Sequence, residues 1–368
     1  MSTKKKKSIL SFLIQYTIIL FLIFLLVEYY LFKIIPYIEN YIPSIPQNST
    51  VIINKTIYKS NPIKRWNVVY LENKNNSNQH IIRRVVGLSG ETILLQFGEV
   101  YIDKNLIQKP SSLQKGLWTS SFDLRKIALE KPNTAKGYFT RFGEKAWSLS
   151  VEGILKSVAS EVGTIEFSNQ IFSKKIKTDI CISFNIIFEK DLGRIFLLAK
   201  YLGKNIILNL PSTSIGKSPH IQEEMKILKT FTNIQFKPGI TYKVELWLYD
   251  QQACVFINDK LVFSKNWKIE KDLYHKKLST NVYLSSQKSK VSISNFKIKR
   301  DISFENEGRF GCDPDIPYKI KPDHYFLTTD NVDSAFSDSR SSGSVDGKKY
   351  IKGKVIMTLS PNFMEWIY

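Results

Sequence analysis

Cysteine and histidine are scarce in this chain of 368 residues. It has three cysteines, Cys181, Cys254 and Cys312, without Cys-x-x-Cys spacing, and four histidines. Zinc-finger arrays and disulfide-dense scaffolds need many more of these residues at regular spacing, so both classes are excluded. Cys181 and Cys254 fall in predicted strands. In an oxidising compartment these two cysteines could form a disulfide, and Cys312 would then have no partner.

Common catalytic motifs are also absent. The sequence has no Gly-x-x-x-x-Gly-Lys-Ser/Thr loop, no Gly-x-Ser-x-Gly elbow and no His-Glu-x-x-His helix. These absences exclude the P-loop nucleotide hydrolases, the usual Ser-His hydrolases and the common zinc proteases.

Acidic residues are too few to balance the basic ones, with 33 Asp and Glu against 53 Lys and Arg. A nucleic-acid-binding domain gathers its basic residues on one face or tail. Here the lysines are scattered through a sequence rich in Lys, Ile and Asn together, a composition typical of AT-rich coding sequence. We therefore expect no nucleic-acid partner, and attraction to anionic lipid fits the N-terminus better.

The chain has one long hydrophobic run, at its N-terminus. Residues 9–27 carry no charge and follow the four lysines Lys4–Lys7. At about 1.5 Å per helical residue this run covers roughly 28 Å, close to the thickness of a bilayer core. It is longer than the apolar region of a cleaved signal peptide. We expect a basic cytoplasmic tail at 1–8, a transmembrane anchor at 9–32, and the bulk of a single-pass cell-membrane protein on the periplasmic or extracellular side.

The rest of the sequence predicts a mainly β fold. Its segments are short, rich in β-branched and aromatic residues, and separated by polar turns. Those between 113 and 302 have the spacing of a β-sandwich, and the clearest predicts three strands joined by turns at Asp250–Gln251 and Asn258–Asp259. This pattern resembles laminin-G and concanavalin-like (jelly-roll) sandwiches. The resemblance implies a carbohydrate or protein ligand, sometimes with calcium. Asp250, Asn258 and Asp259 are candidate ligands, although turn chemistry also explains each of them.

Four segments around the sandwich form a second pattern. They are 40–55, 64–70, 82–91 (Ile-Arg-Arg-Val-Val-Gly-Leu-Ser-Gly-Glu) and 325–345, which contains Asp-Asn-Val-Asp-Ser-Ala-Phe-Ser-Asp-Ser-Arg. Their order behind an anchor resembles the type I signal peptidases. The resemblance implies a signal-peptidase-like β domain in two parts, 36–112 and 303–368, interrupted by an inserted sandwich at 113–302.

The resemblance also implies a chemistry. Members of the family remove signal peptides from exported preproteins beside the membrane. They use neither a metal ion nor a cofactor, so the resemblance implies none for this chain. A serine hydroxyl is activated by a lysine amine that burial keeps neutral, and polar donors stabilise the oxyanion. In the family, the last of the four segments supplies side chains that hold the strands in place. In this sequence the supporting positions correspond to Arg84, Asp330, Ser337, Asp338 and Arg340.

The catalytic positions depart from the family. The nucleophile falls on Asn40, which has no hydroxyl group, and an oxyanion hydroxyl two residues earlier falls on Ile38. The general base falls on Arg83, and an arginine with a side-chain pKa above about 12 cannot act as a base. In the segment 325–345, Thr329 and Val332 also stand where the family has a glycine and an arginine.

Two functional hypotheses remain open. One is a divergent serine endopeptidase in which Ser44 or Ser49 is the nucleophile and Lys55 or Lys64 the base. In the simpler interpretation these serines are loop hydroxyls and these lysines are solvated charges at strand ends. The other is a non-catalytic pseudoenzyme that binds exported segments or envelope partners, with the sandwich as binding module. Arg83 and Arg84 also have a structural interpretation, as charges at a strand edge with Asp338 as a partner.

Overall fold

The computed structural model divides the chain into two compact units, 1–107 with 304–368 and 108–303. The residues that it describes are 12–23, 30–37, 42, 45, 47–72, 80–96, 98–130, 139–142, 146–158, 162–167, 179–267, 281–302, 304, 308–330, 338–360 and 363–367. Most of them lie in strands, so the prediction of a mainly β protein is confirmed.

The predicted anchor is described only in part. Residues 12–23 form a helix, α1. Among the described residues, no helix combines the length and the apolar character that crossing a membrane requires. Residues 9–11 and 24–29 lie outside the described part of the chain, and the anchor at 9–32 stays a prediction.

The first unit begins with seven short strands. They are β1 (Phe32–Tyr37), β2 (Ser49–Asn54), β3 (Val68–Glu72), β4 (His80–Gly87), β5 (Thr92–Gln96), β6 (Glu99–Ile102) and β7 (Asn105–Leu106), with helix α2 (Ile57–Ser60) after β2. Each strand is rich in β-branched and aromatic residues, which favour a pleated, half-buried surface.

The second unit supplies the next fifteen strands of the described chain. They are β8 (Thr119–Asp123), β9 (Phe139–Phe142), β10 (Trp147–Leu149), β11 (Leu155–Ser157), β12 (Val162–Phe167), β13 (Ile180–Phe188), β14 (Arg194–Tyr201), β15 (Lys204–Pro211), β16 (His220–Glu223), β17 (Lys226–Thr230), β18 (Thr241–Tyr249), β19 (Gln252–Ile257), β20 (Lys260–Asn266), β21 (Val282–Gln287) and β22 (Val291–Arg300). Its helices are α3 (Ser111–Leu117) and α4 (Leu124–Glu130), and Thr213–Ile215 forms a 3-10 turn.

The chain then returns to the first unit. The remaining elements are β23 (Tyr318–Lys319), β24 (His324–Thr328), α5 (Ser339–Ser342), β25 (Val345–Asp346), α6 (Gly347–Tyr350), β26 (Ile351–Ser360) and β27 (Phe363–Trp366). The main sheet has the order β1-β2-β26-β3-β4-β24-β25, with β27 on β26, and a small sheet has the order β23-β5-β6-β7. The main sheet therefore combines strands from both ends of the sequence, with β26 inserted between β2 and β3.

Both faces of that main sheet are apolar. One face carries a core that includes Ile53, Val68 and Ile82. The other carries a core that includes Val69 and Val85. Successive side chains of a strand point to opposite faces, so neighbours such as Val68 and Val69 enter different cores.

The second unit is a sandwich of two antiparallel sheets. One has the order β10-β11-β22-β13-β18-β19-β20, with β8 on β22, and the other has the order β17-β16-β15-β14-β21-β12-β9. Phe296 from the first sheet stacks on Phe167 from the second, with ring centroids 4.4 Å apart. Side chains from both sheets thus fill one common core.

The bridge left open between Cys181 and Cys254 is not formed. Both thiols are free, as is that of Cys312. Cys181 pairs with Trp247 of β18, and Trp247 pairs on its other side with Cys254 of β19. A whole strand therefore separates the two cysteines. Two strand spacings amount to about 9.6 Å, beyond the reach of a disulfide.

Phe296→Ala tests the importance of this stacked core. The substitution removes a fully buried ring that contacts the opposite sheet. We expect the free energy of unfolding of the sandwich to fall by about 3–5 kcal/mol. Val151→Ala is the control, because this side chain is 72% exposed. It should change stability by less than about 0.5 kcal/mol in urea unfolding followed by tryptophan fluorescence. Equal effects of the two changes would contradict the role assigned to the ring.

Candidate functional site

A buried ion pair joins β4 to the segment after β24. Arg84 donates from Nε to both carboxylate oxygens of Asp330 at 2.8 and 2.9 Å, and from Nη2 to Oδ2 at 2.7 Å. Its Nη1 donates to the carbonyl of Trp66 at 3.0 Å. The Arg84 side chain is 1% exposed and that of Asp330 is 0% exposed. Such a charge pair is tolerated without water because its donors and acceptors are matched.

A second buried pair lies close to the first along the chain. Arg340 donates from Nη2 to Asp338 Oδ2 at 2.6 Å and to the Thr329 hydroxyl at 3.1 Å. Asp338 also caps α5 by accepting from the Arg340 backbone N–H, and it accepts from the Thr329 N–H at 2.9 Å. Thr329, which the resemblance aligns with a glycine of the family, contributes its hydroxyl to this network. Of the predicted supporting residues, the structure thus brings together Arg84 with Asp330, and Asp338 with Arg340.

Arg83 lies beside Arg84 but points to the opposite face of β4. Its side chain is buried, and Nη1 donates to the carbonyl of Ile82 at 2.7 Å. The interpretation of both arginines as strand-edge charges is wrong, because β4 lies between β3 and β24. Asp338 was the partner considered there, and it binds Arg340 instead.

Four positions that the sequence analysis singled out lie outside the described part of the chain. They are Ile38, Asn40, Ser44 and Ser337. Ile42 and Ile45, which are close to these positions in sequence, are described. The Ile42 N–H donates to the Tyr37 hydroxyl at 2.8 Å, and the Ile45 N–H donates to the Ile42 carbonyl at 2.8 Å. Both isoleucines are buried in the core on the face of the main sheet that carries Val68.

Ser49 is not the loop hydroxyl that the sequence indicated. It begins β2, is buried, and accepts a hydrogen bond from the Thr358 hydroxyl at 3.1 Å. Lys55 follows the other end of β2, so six residues separate the two, or about 20 Å along a strand. The exposed Lys64 acts electrostatically on Lys354, which pairs with Asn54 at that same far end. The structure therefore does not bring Ser49 together with either lysine.

Lys354 is a candidate that sequence reasoning missed. It lies on β26 and pairs with Asn54 on one side and Val69 on the other, and Val69 pairs in turn with Arg83. Directly paired residues share a face of the sheet, so Lys354 and Arg83 belong to the same row. Partial burial lowers the pKa of Lys354, and the charge of Lys64 lowers it further. The signal in the sequence was weak, because the segment 351–359 has two lysines, Lys352 and Lys354, just before its apolar run.

The candidate ligands in the sandwich separate into two kinds. Asn258 and Asp259 occupy a tight hairpin turn with φ of 50° and 63°. The Asn258 side chain accepts from the Lys243 N–H at 2.9 Å, and Asp259 lies 2.6 Å from Lys243 Nζ. Turn chemistry accounts for both. Asp250 has a similar backbone but is fully buried and paired with Lys109.

Comparison with known proteins concerns the N-terminal third of the chain, from the first unit into the start of the second. The family model for signal peptidase, peptidase S26, matches residues 9–136. The resemblance to the signal peptidases is confirmed. Signal peptidase I P of Bacillus subtilis subsp. natto is 28% identical over 110 residues, which are 29% of this chain and 57% of that protein. Signal peptidase I of Leptolyngbya laminosa is 33% identical over 90 residues, 21% of this chain and 44% of that protein. The chain thus spans about half the length of the curated signal peptidases that it matches.

Solved structures resemble this chain in shape at low identity. The carbohydrate binding module CBM66 from Bacillus subtilis is 10% identical, with 44% of this chain and 95% of that module covered and a TM-score of 0.33. The carbohydrate recognition domain of Emp46p is 13% identical, with coverage of 49% and 97% and a TM-score of 0.36. At this level the likeness says nothing of a ligand for the sandwich.

Asp330→Ala tests the first buried pair. The change leaves the guanidinium of Arg84 buried without its carboxylate, so we expect a loss of about 3–5 kcal/mol in the free energy of unfolding. Lys348→Ala is the matched control. It breaks the Lys348–Asp323 pair, whose side chains are 84% and 69% exposed, and should cost less than about 1 kcal/mol. Denaturant unfolding of both variants measures the difference. A loss for Asp330→Ala no larger than that of the control would mean that the pair does not hold the unit together.

Proposed function

We propose that this protein is a membrane-anchored relative of the signal peptidases that binds exported preprotein segments beside the bilayer without cleaving them. One observation carries the proposal. Arg83, which the resemblance aligns with the family's general base, is buried in a unit whose supporting pairs, Arg84 with Asp330 and Arg340 with Asp338, are assembled. A guanidinium does not accept a proton, and Asn40 offers no hydroxyl group at the nucleophile position.

The anchor in this proposal rests on the N-terminal run. Helix α1 is apolar, and its large side chains, such as Phe12 and Ile19, are more than half exposed. An exposed apolar helix needs an apolar surrounding, which a lipid bilayer provides. The lysines Lys4–Lys7 would hold the N-terminus in the cytoplasm, and the remainder of the chain would face the periplasmic or extracellular side. The sandwich would then act there as a second binding module, for a carbohydrate or a protein of the envelope.

A cleavage and binding assay tests this function. The full chain, purified in detergent, is mixed with a fluorescent preprotein, and both cleavage and anisotropy are followed. We expect binding without cleavage for the wild type. Asn40→Ser with Arg83→Lys should gain cleavage, because a hydroxyl and a titratable amine return to the family's positions. The two single variants are the matched controls, since each restores half of the pair. Cleavage by the wild type would contradict the proposal, and so would a lack of binding.

Lys354 favours one second candidate, a peptidase with a relocated pair. Its lowered pKa is a property of a catalytic lysine base, and it shares a row with Arg83. Ser44 would then be the nucleophile. In that case the wild type cleaves, and its rate rises with pH through the pKa of Lys354, because only the neutral amine accepts the proton.

Two substitutions decide between the candidates if cleavage is seen. Ser44→Ala and Lys354→Met should each reduce the rate about a thousandfold or more when the two residues act as a unit. Lys352→Met is the control, since this lysine lies on the same strand two residues away. A rate unaffected by Lys354→Met would eliminate Lys354 as the base.

A further inference from the structure

Three charged side chains meet inside the sandwich unit, far from one another in sequence. Lys109 precedes α3, Asp250 lies in the turn between β18 and β19, and Asp301 directly follows β22. All three are buried, and Lys109 and Asp250 are 141 residues apart. We call them the Lys109 triad.

The contacts in the Lys109 triad place an amine against two carboxyl groups. Lys109 Nζ contacts Asp250 Oδ1 directly and lies 3.0 Å from Asp301 Oδ2. The backbone N–H of Lys109 donates to Asp250 Oδ2 at 2.5 Å. These two contacts from one residue fix both oxygens of Asp250 and hold its carboxyl carbon next to the amine.

Asp301 is oriented separately from the other two. Its Oδ1 accepts from Gln114 Nε2 at 2.7 Å and from the Ile302 N–H at 2.7 Å. Its Oδ2 is therefore the oxygen that faces Lys109. Burial raises the pKa of Asp301 to about 6, with Asp250 raising it and Lys109 opposing the rise. Asp301 can thus hold a proton and release it near neutral pH.

As an ordinary ion cluster the Lys109 triad is a costly arrangement. The buried cation contacts Asp250 and Asp301, and a carboxylate oxygen of Asp179 lies within 4.8 Å of one of Asp250. The loss of water around each ion costs several kcal/mol. Burial disfavours the charged forms of amines and carboxyl groups alike. Neutral groups in contact in a dry site are also the reactants that form an amide.

We propose that Lys109 and Asp250 are joined by an isopeptide bond between Nζ and Cγ, formed with Asp301 as the proton-transfer group. The site is a self-modification site of the sandwich. It needs no enzyme, metal or cofactor.

The reaction balances without an oxidant or reductant. The lone pair of the neutral Lys109 amine attacks Cγ of the protonated Asp250 carboxyl group, and the N–C bond forms. Asp301 takes a proton from the nitrogen and gives one to the departing hydroxyl. The C–O bond breaks, one water leaves, and Asp301 ends in the protonation state in which it began.

A bond here would close a long covalent loop. It would tie the start of the sandwich to a hairpin turn, and a cross-link that closes a loop of this length restricts the unfolded chain as a disulfide does. Cys181 and Cys254 lie a strand apart and cannot supply such a link.

The same chain provides a control with the same three chemical groups. Lys243 Nζ lies 2.6 Å from Asp259 and 2.9 Å from Glu245, but the lysine side chain is 40% exposed. In water its amine stays protonated, because nearby carboxylates raise the pKa of Lys243. We expect no bond at this exposed cluster.

The test is mass spectrometry of the full chain purified in detergent. The intact wild type should weigh about 18 Da less than its sequence requires, the mass of one water. Asp346–Gly347 can also lose water by succinimide formation, so a digest must show a branched peptide that contains Lys109 and Asp250. An intact mass equal to the sequence mass, or a digest without the branched peptide, overturns the proposal. This arm needs no variant and does not depend on folding of a mutant or on the proposed function.

Variants test the chemistry of the bond. Asp250→Asn should lose about 17 Da, because ammonia then leaves instead of water. Lys109→Arg should lose no mass at this site, since a guanidinium is a poor nucleophile. Asp301→Ala keeps both joined residues but should leave them unlinked. Lys243→Arg should keep the branched peptide. A branched peptide that persists in Asp301→Ala would overturn the role of Asp301.

Discussion

The first unit depends on the ion pair between Arg84 and Asp330. These residues are 246 apart in sequence, and all of the sandwich lies between them. Neither can be buried before the other arrives, because an unpaired charge in the sheet costs several kcal/mol. The pair therefore makes the return of the C-terminal segment a condition for completing the sheet. Since the cost of closing a loop grows only slowly with its length, a long insertion between the two residues is compatible with the pair.

The neighbouring arginine, Arg83, takes no part in this ion pair. Arg83 and Arg84 are consecutive on β4, so they project to opposite faces of the sheet. Arg84 carries the ion pair, whereas Arg83 is the residue that the sequence resemblance aligns with the base of the signal peptidases. A substitution at Arg83 therefore leaves the contacts of Arg84 in place. The fold and the catalytic position are separable at adjacent residues, and this separation is why an assembled scaffold does not by itself imply a catalyst.

Local patterns in the sequence predicted the local structure. Alternation of apolar residues predicted the strands, and turn chemistry predicted the hairpins at Asp250–Gln251 and Asn258–Asp259, which the structure has. Contacts between distant segments were beyond that reasoning. Ser49 looked like a loop hydroxyl because nothing near it in sequence indicates Thr358. Lys354 gains its lowered pKa from burial and from Lys64, and neither can be read from periodicity.

The two hairpin turns of the sandwich show why position decides chemistry. Asp250 and Asp259 lie in turns of the same kind, with φ of 45° and 63°, and each faces a lysine that also contacts a second carboxyl group. Water solvates the cluster at Asp259, so its charges are stable and the pair is worth little. The cluster at Asp250 is buried, so no water offsets the cost of its charges. The same pair of residue types, a lysine and a turn aspartate, thus gives a weak surface ion pair in one turn and the proposed reactants for an amide in the other.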